Sequence, residues 1–105
     1  MRWERLQEAL HYDPLTGIWT WKIKKGRAKI GDMAGVIATI NKVKRRYMKL
    51  DQEQYSSSRL AWFYMTKEWP KNEIDHIDRN TLNDKWSNLR DVTHAVNCKN
   101  RGTLR

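Results

Sequence analysis

A chain of 105 residues has room for one compact unit, or for two small modules leaning on each other, and buries only a modest core. Cys98 is the single cysteine, which excludes a disulfide staple and a structural zinc site built on paired cysteines, and suits a reducing cytosol. The net charge of +9 is unevenly spread: residues 21–50 hold ten basic side chains against Asp32 alone, residues 1–20 sum to −1 and residues 51–105 to +1.

So one-sided a window points to a polyanion, because each neutralised phosphate releases condensed counterions. A solvated basic face is the bland alternative. An anionic membrane surface shares the charge logic, but Gly26, Gly31 and Gly35 interrupt the window and no basic amphipathic helix is present. Nucleic acid fits better. No apolar run is long enough to cross a bilayer, and the opening Met1-Arg2-Trp3-Glu4-Arg5 does not resemble a signal peptide, so a cytoplasmic protein is expected.

In chain order, residues 3–10 place Trp3, Leu6 and Leu10 on one helical face. Asp13-Pro14-Leu15-Thr16-Gly17 is a turn signal, and Ile18–Lys22, rich in aromatic and β-branched residues, reads as a strand. Residues 23–33 read as an exposed basic loop. Strands follow at about 34–40 and 46–50, joined by a basic turn over Asn41–Arg45, with a further strand near Gln54–Ser56. Ser57 and Ser58 are candidate caps for a helix over 58–67 whose apolar set (Leu60, Ala61, Trp62, Phe63, Tyr64, Met65) runs nearly all round, which predicts burial; Trp69-Pro70 ends it. Then come a short strand over Ile74–Ile77, a polar loop over 78–87, a second short strand over Leu89–Val92, and a final helix that Thr93 caps.

Hydrolysis of a phosphodiester needs a nucleophilic water, a base, and positive charge on the leaving oxygen. Asp75 and His76 supply a carboxylate and an imidazole side by side; on a strand they point to opposite faces, so both serve one site only where the strand ends or bends. Asn97, in the first full turn of the final helix, is positioned to complete a metal site with Asp75, and Asn88 to hydrogen-bond His76. Singly, each has a dull explanation: a surface turn for Asp75-His76 and Asn88, a solvated helix position for Asn97. His11 reads as structural, and His94 as solvated or a secondary phosphate contact. The combination carries the weight.

Ile74-Asp75-His76-Ile77-Asp78, then Asn83–Ser87, then Asn88-Leu89-Arg90-Asp91-Val92-Thr93, then Asn97 with Asn100, resembles the HNH endonucleases of the ββα-metal fold. Arg59-Leu60-Ala61-Trp62, Tyr64 and the Tyr12-Asp13-Pro14-x-Thr16-Gly17 turn are similar to the phage-encoded subgroup, which includes homing endonucleases, so the resemblance covers most of the chain. It implies that His76 is the general base, that Asp75 and Asn97 bind one divalent metal (Mg²⁺ or Mn²⁺), and that Asn88 orients the His76 region. It also implies double-stranded DNA as substrate, 5′-phosphate and 3′-hydroxyl products, and a host-cell cytoplasm if phage-encoded. Two departures stand out: Ser58 occupies a position where the subgroup usually has His, and Asp51-Gln52-Glu53-Gln54 lacks the frequent Gly.

The expected fold is α+β: an N-terminal helix and small antiparallel sheet, a central buried helix, and a C-terminal ββα-metal motif. The expected divisions are a basic DNA-binding region over 1–56, the central helix over 57–70 and the nuclease motif over 71–105. The expected DNA contacts are Lys22, Lys24, Lys25, Arg27, Lys29, Lys42, Lys44, Arg45, Arg46, Arg59, Arg90, Lys99 and Arg101. A monomer or weak homodimer is expected, with a nick as the default product of one metal site. The rivals are a DNA-binding protein that keeps the fold without cleavage, and an RNA-binding or structural protein, for which no RNA motif is present.

Overall fold

The computed structural model describes residues 1–92. Over that span the chain is α+β, with two helices and three small antiparallel sheets. Helix α1 (Trp3–Ala9) buries Leu6 and Ala9. Leu10, expected on the same helix, instead turns extended (φ −136°, ψ 147°) and opens strand β1 (Leu10–Asp13). Two periodicities compete there. Leu6 and Leu10 fit a helix, but Leu10 and Tyr12 alternate inward as a strand requires, and they pair with β2 (Ile18–Trp21), opposite Trp21 and Trp19.

The turn between them forms as its sequence predicts. The Asp13 carbonyl accepts the Gly17 N–H at 2.7 Å, and the Asp13 carboxylate accepts the Leu15 N–H at 3.0 Å. After β2 the expected basic loop is irregular, with isolated bridges at Lys25–Ala28 and Thr20–Met33.

The second sheet is β3 (Val36–Ile40), β4 (Val43–Leu50) and β5 (Glu53–Ser56), in that spatial order. The basic turn expected over Asn41–Arg45 shrinks to two residues. Asn41 and Lys42 have φ of 54° and 66°, the two-residue hairpin geometry whose twist matches the flanking strands, so β4 starts at once with Val43. Lys44, Arg45 and Arg46 therefore lie on a strand. Asp51 and Gln52 repeat the geometry (φ 52° and 70°) without glycine, while Arg5 grips the Asp51 carboxylate through two contacts of 3.0 Å.

Helix α2 (Ser57–Thr66) buries Leu60, Ala61 and Phe63, with Trp62 and Tyr64 half-buried and Met65 exposed. Its N-cap is Ser56, without a side-chain cap bond; Ser57 and Ser58, expected as caps, lie inside the helix and are buried. It ends at Lys67, which takes the left-handed conformation at φ 65°, ahead of the expected stop at Trp69-Pro70. The third sheet pairs β6 (Glu73–His76) with β7 (Leu89–Val92), placing Asp75 opposite Arg90 and His76 opposite Leu89. The final helix expected from Thr93 lies outside the described residues.

One apolar cluster runs from Leu6 and Leu10 through Trp19, Met48 and Leu60 to Ile74 and Leu89. Tyr12 and Trp19 of this cluster meet the half-buried Tyr64, with ring centroids 4.8–5.7 Å apart among the three. No helix among the described residues is long and apolar enough to cross a membrane.

Candidate active site

His76, the last residue of β6, is only 5% exposed, and its Nε2 lies 2.8 Å from Oδ1 of Asp84, itself 2% exposed. The other carboxylate oxygen of Asp84 accepts the Ser57 hydroxyl, and its backbone carbonyl accepts the Tyr12 phenol. When Nε2 carries a proton it donates it to Asp84, and Nδ1 is the ring nitrogen turned away from the carboxylate. Burial pushes the Tyr12 phenol well above its usual range, and the Asp84 and Asp13 charges add to the effect, so it remains a donor. Three elements thus converge on Asp84: the end of β6 and the start of α2 on its carboxylate, and β1 on its backbone carbonyl.

Asp75 faces Arg90 across the β6–β7 ladder, and Arg90 Nε and Nη2 each lie 2.8 Å from its Oδ2. The strand ends at His76, and Asp75 and His76 both line one cleft of about 280 Å³ between β4 and β6, together with Arg45, Arg79 and Thr81. The Thr81 hydroxyl donates to the Lys44 carbonyl and ties the loop to β4. Two guanidinium groups on the walls suit an anionic substrate beside the imidazole.

Asn88 does not bond His76. Its Oδ1 accepts the Asp78 N–H at 2.9 Å, while its Nδ2 donates to Asp78 Oδ1 at 2.9 Å and to the Asn83 carbonyl at 2.8 Å. It closes the loop on itself, and the place expected for it beside the imidazole is held by Asp84. Hydrogen bonds from the Asn83 side chain, the Asn80 N–H and the Asn88 side chain hold the Asp78 carboxyl below its ordinary range. The loop is also pinned from outside: Trp86 N–H donates to the Pro14 carbonyl at 3.0 Å, and its ring packs on Trp62 with centroids 5.0 Å apart.

The remaining expected residues are scattered. Lys22, Lys24, Arg27 and Lys29 are exposed and Lys25 is half-buried, all on the irregular stretch after β2; Lys22 is anchored on the Gln7 carbonyl at 2.6 Å. Lys42 sits on the β3–β4 turn, and Lys44 is exposed on β4, where Arg46 leans on Met33 at 3.7 Å. Arg59 is exposed on α2. Asn97, Lys99 and Arg101 lie outside the described residues. Sequence reasoning gave no site role to Asp84, Ser57, Tyr12, Arg79 or Thr81: Asp84 sat among ten turn-like residues, Ser57 read as a helix cap and Tyr12 as part of a turn, and Arg79 and Thr81 had no local signal.

Among the residues lining the cleft, Asp75 is the one carboxylate a hard divalent ion could use. Both Arg90 contacts fall on Oδ2 of Asp75, which leaves Oδ1 as a hard oxygen, and Mg²⁺ characteristically takes one or two carboxylates plus water and substrate phosphate. Asp84 is committed to His76 and Ser57, and no group of three His, Cys, Asp or Glu able to hold a metal occurs among the described residues.

Residues 55–99 match a family model described as HNH endonuclease. No curated protein and no solved structure matches the chain. The matched stretch begins just before α2 and contains Ser57, Asp75, His76, Asp84 and Asn88, so the segment that carries the His76–Asp84 pair and Asp75 is similar to HNH endonucleases, which supports that family and a nuclease-type function.

Proposed function

We propose that the chain is a metal-dependent DNA endonuclease in which His76 is the general base. The observation that carries this reading is the buried His76–Asp84 pair, whose imidazole lines a cleft together with Asp75, Arg45 and Arg79. Nδ1 of His76 takes the proton from the attacking water. Asp84 accepts Nε2–H throughout and stabilises the imidazolium that forms, as a buried carboxylate does in other histidine dyads. Arg45 and Arg79 hold the phosphate against it. Asp75, with Asn97 as expected partner, would hold one Mg²⁺ or Mn²⁺, which would supply positive charge where the leaving oxygen develops negative charge. Asn88 acts at one remove by closing the loop that presents Asp84.

Duplex DNA is the proposed substrate, held by the basic stretch from Lys22 to Lys29 and by Lys42, Lys44 and Arg46. A single site per chain gives a nick as the default product, and kinship with phage homing endonucleases belongs to the same proposal.

Nicking of supercoiled plasmid in Mg²⁺ or Mn²⁺ tests it. The wild-type chain is expected to nick only with metal, and His76→Ala to lose about 10²–10⁴-fold in rate while still binding DNA. Equal nicking by both proteins would remove His76 from the chemistry. Binding without nicking in any metal would favour the non-cleaving rival, to which Ser58 is the sequence pointer.

A further inference from the structure

Arg45 forms part of two hollows. One is the cleft beside His76; the other, of about 380 Å³, is lined by Arg45, Tyr47, Tyr55, Arg59 and Trp69 among others, none of them acidic. Val43, Arg45 and Tyr47 alternate along β4 and so share a face, Val43 in the first hollow, Tyr47 in the second and Arg45 in both. A strand advances about 3.4 Å per residue, so Tyr47 lies about 7 Å beyond Arg45, roughly the reach of one nucleotide.

The far wall is aromatic and fixed. Trp69 stacks on Phe63 (centroids 4.4 Å, planes 8° apart) and on Tyr55 (5.7 Å, 14°), and the Tyr55 hydroxyl is anchored on Glu53 at 3.0 Å. Phe63 is buried, so this wall is held by the core. Rigid π faces flanked by two guanidinium groups, one shared with a phosphate-sized cleft, match an unpaired nucleobase with its phosphates on either side.

We propose that this hollow binds the base of a nucleotide next to the scissile phosphate, so that the preferred substrate carries an unstacked or flipped base there. This rests on the nuclease reading of the adjacent cleft. The base stacks on Tyr47 and on the face of Tyr55 turned away from Trp69, Trp69 backs Tyr55 from behind, Arg59 takes a flanking phosphate, and Arg45 bridges to the cleft. Such stacking tolerates any base, because every base has a π face.

The test is equilibrium binding of the full chain, without metal, to a single-stranded oligothymidylate and to an abasic strand of equal length and charge. The wild-type chain is expected to prefer the strand with bases by about 5- to 150-fold, the range that stacking of one base gives. Tyr47→Leu keeps bulk without the π face and is expected to lose most of that preference; Tyr47→Phe is expected to retain it. Unchanged affinity of Tyr47→Leu for the abasic strand would show that the variant is folded. Equal wild-type affinity for the two strands would overturn the proposal and leave a phosphate site alone, as would full preference in Tyr47→Leu. Plasmid nicking, measured separately, reports on the nuclease reading, so either can fail without the other.

Discussion

Gly17 faces the backbone of Asp84 so closely that a Cβ built on it would lie 2.5 Å from the Asp84 carbonyl carbon and 2.6 Å from the Lys85 nitrogen. Its φ of +77° is also one that side chains disfavour. The turn between β1 and β2 is therefore pressed against the residue that holds His76, and glycine is what permits the approach. Gly17→Ala is expected to destabilise the fold by about 1–3 kcal/mol and to slow single-turnover cleavage by displacing Asp84, with DNA affinity little changed. Gly26→Ala is the control: its φ of +55° carries the same backbone strain, but a Cβ there meets nothing within 4 Å. Urea unfolding and single-turnover nicking of both variants decide the matter. If Gly17→Ala behaves like Gly26→Ala, the contact does not position the site.

Asp84 is expected to matter through charge as well as through contact. Asp84→Asn keeps an oxygen for the His76 Nε2–H but loses the negative charge opposite the imidazolium, and it turns an amide donor towards Ser57. The expected cleavage loss is about 10²-fold, with a stability loss of about 1–3 kcal/mol from the mismatched Ser57 hydroxyl. Ser57→Ala is expected to lose less in rate. Wild-type cleavage by Asp84→Asn, with folding verified by circular dichroism, would reduce the pair to a packing feature.

Local patterns carried most of the elements, because a turn such as Asp13–Gly17 or a β-branched and aromatic run such as Ile18–Trp21 needs only its own residues to declare itself. What stayed hidden depended on distant approach. Leu10 satisfies a helix and a strand equally until Trp21 pairs with it. Ser57 looks like a helix cap until Asp84, 27 residues away, takes its hydroxyl. Adjacent Asp75 and His76 marked the cleft, and the strand end that lets both line it was legible in the polar run that follows. The identity of the imidazole's partner was not, since Asn88 and Asp84 are both suitable residues and only the folded loop separates their roles.

Acid should loosen the site loop. Asp78 is held below its ordinary range, so its contribution is present above the usual aspartate value of 3.8 and is lost as the pH falls through its lowered value in the fold. Protonation takes away the negative charge that strengthens the bonds from Asn80, Asn83 and Asn88 and puts a hydrogen on one of the two oxygens that accept them. Amide exchange in residues 78–88 is expected to be slow at pH 5 and to accelerate below pH 3.8 ahead of the β1–β2 hairpin. Asp78→Asn should show fast loop exchange already at pH 5. Loss of protection in loop and hairpin at one common pH in the wild type would show that Asp78 has no local role.

Asp75→Ala and Asn97→Ala are each expected to raise the metal concentration needed for cleavage, and the double variant to be little worse than either single one. Residues that share one ion act as a unit, so their losses do not add. The readout is nicking rate against Mg²⁺ and Mn²⁺. Unchanged titrations for both singles would remove these residues from the ion's coordination.

Affinity and chemistry should separate along the chain. Arg45 faces the cleft, so a test of affinity alone must spare it and use the stretch after β2 instead, where Lys24, Arg27 and Lys29 are exposed and lie outside the lining of the cleft. If these groups neutralise phosphates, log affinity falls with log salt at a slope of about −0.9 per phosphate. Changing Lys24, Arg27 and Lys29 to Ala should then weaken duplex binding at low salt and flatten the slope by up to about 2.7 if each side chain meets one phosphate. Cleavage of fully bound DNA in a single turnover should hardly change, because His76, Asp84 and Asp75 keep their partners. Should the triple variant bind with wild-type affinity and slope, the stretch is only a solvated face. The duplex would then have to be held by the other positive surface, Lys42, Lys44 and Arg46 on the β3–β4 hairpin, where the same salt titration can be repeated.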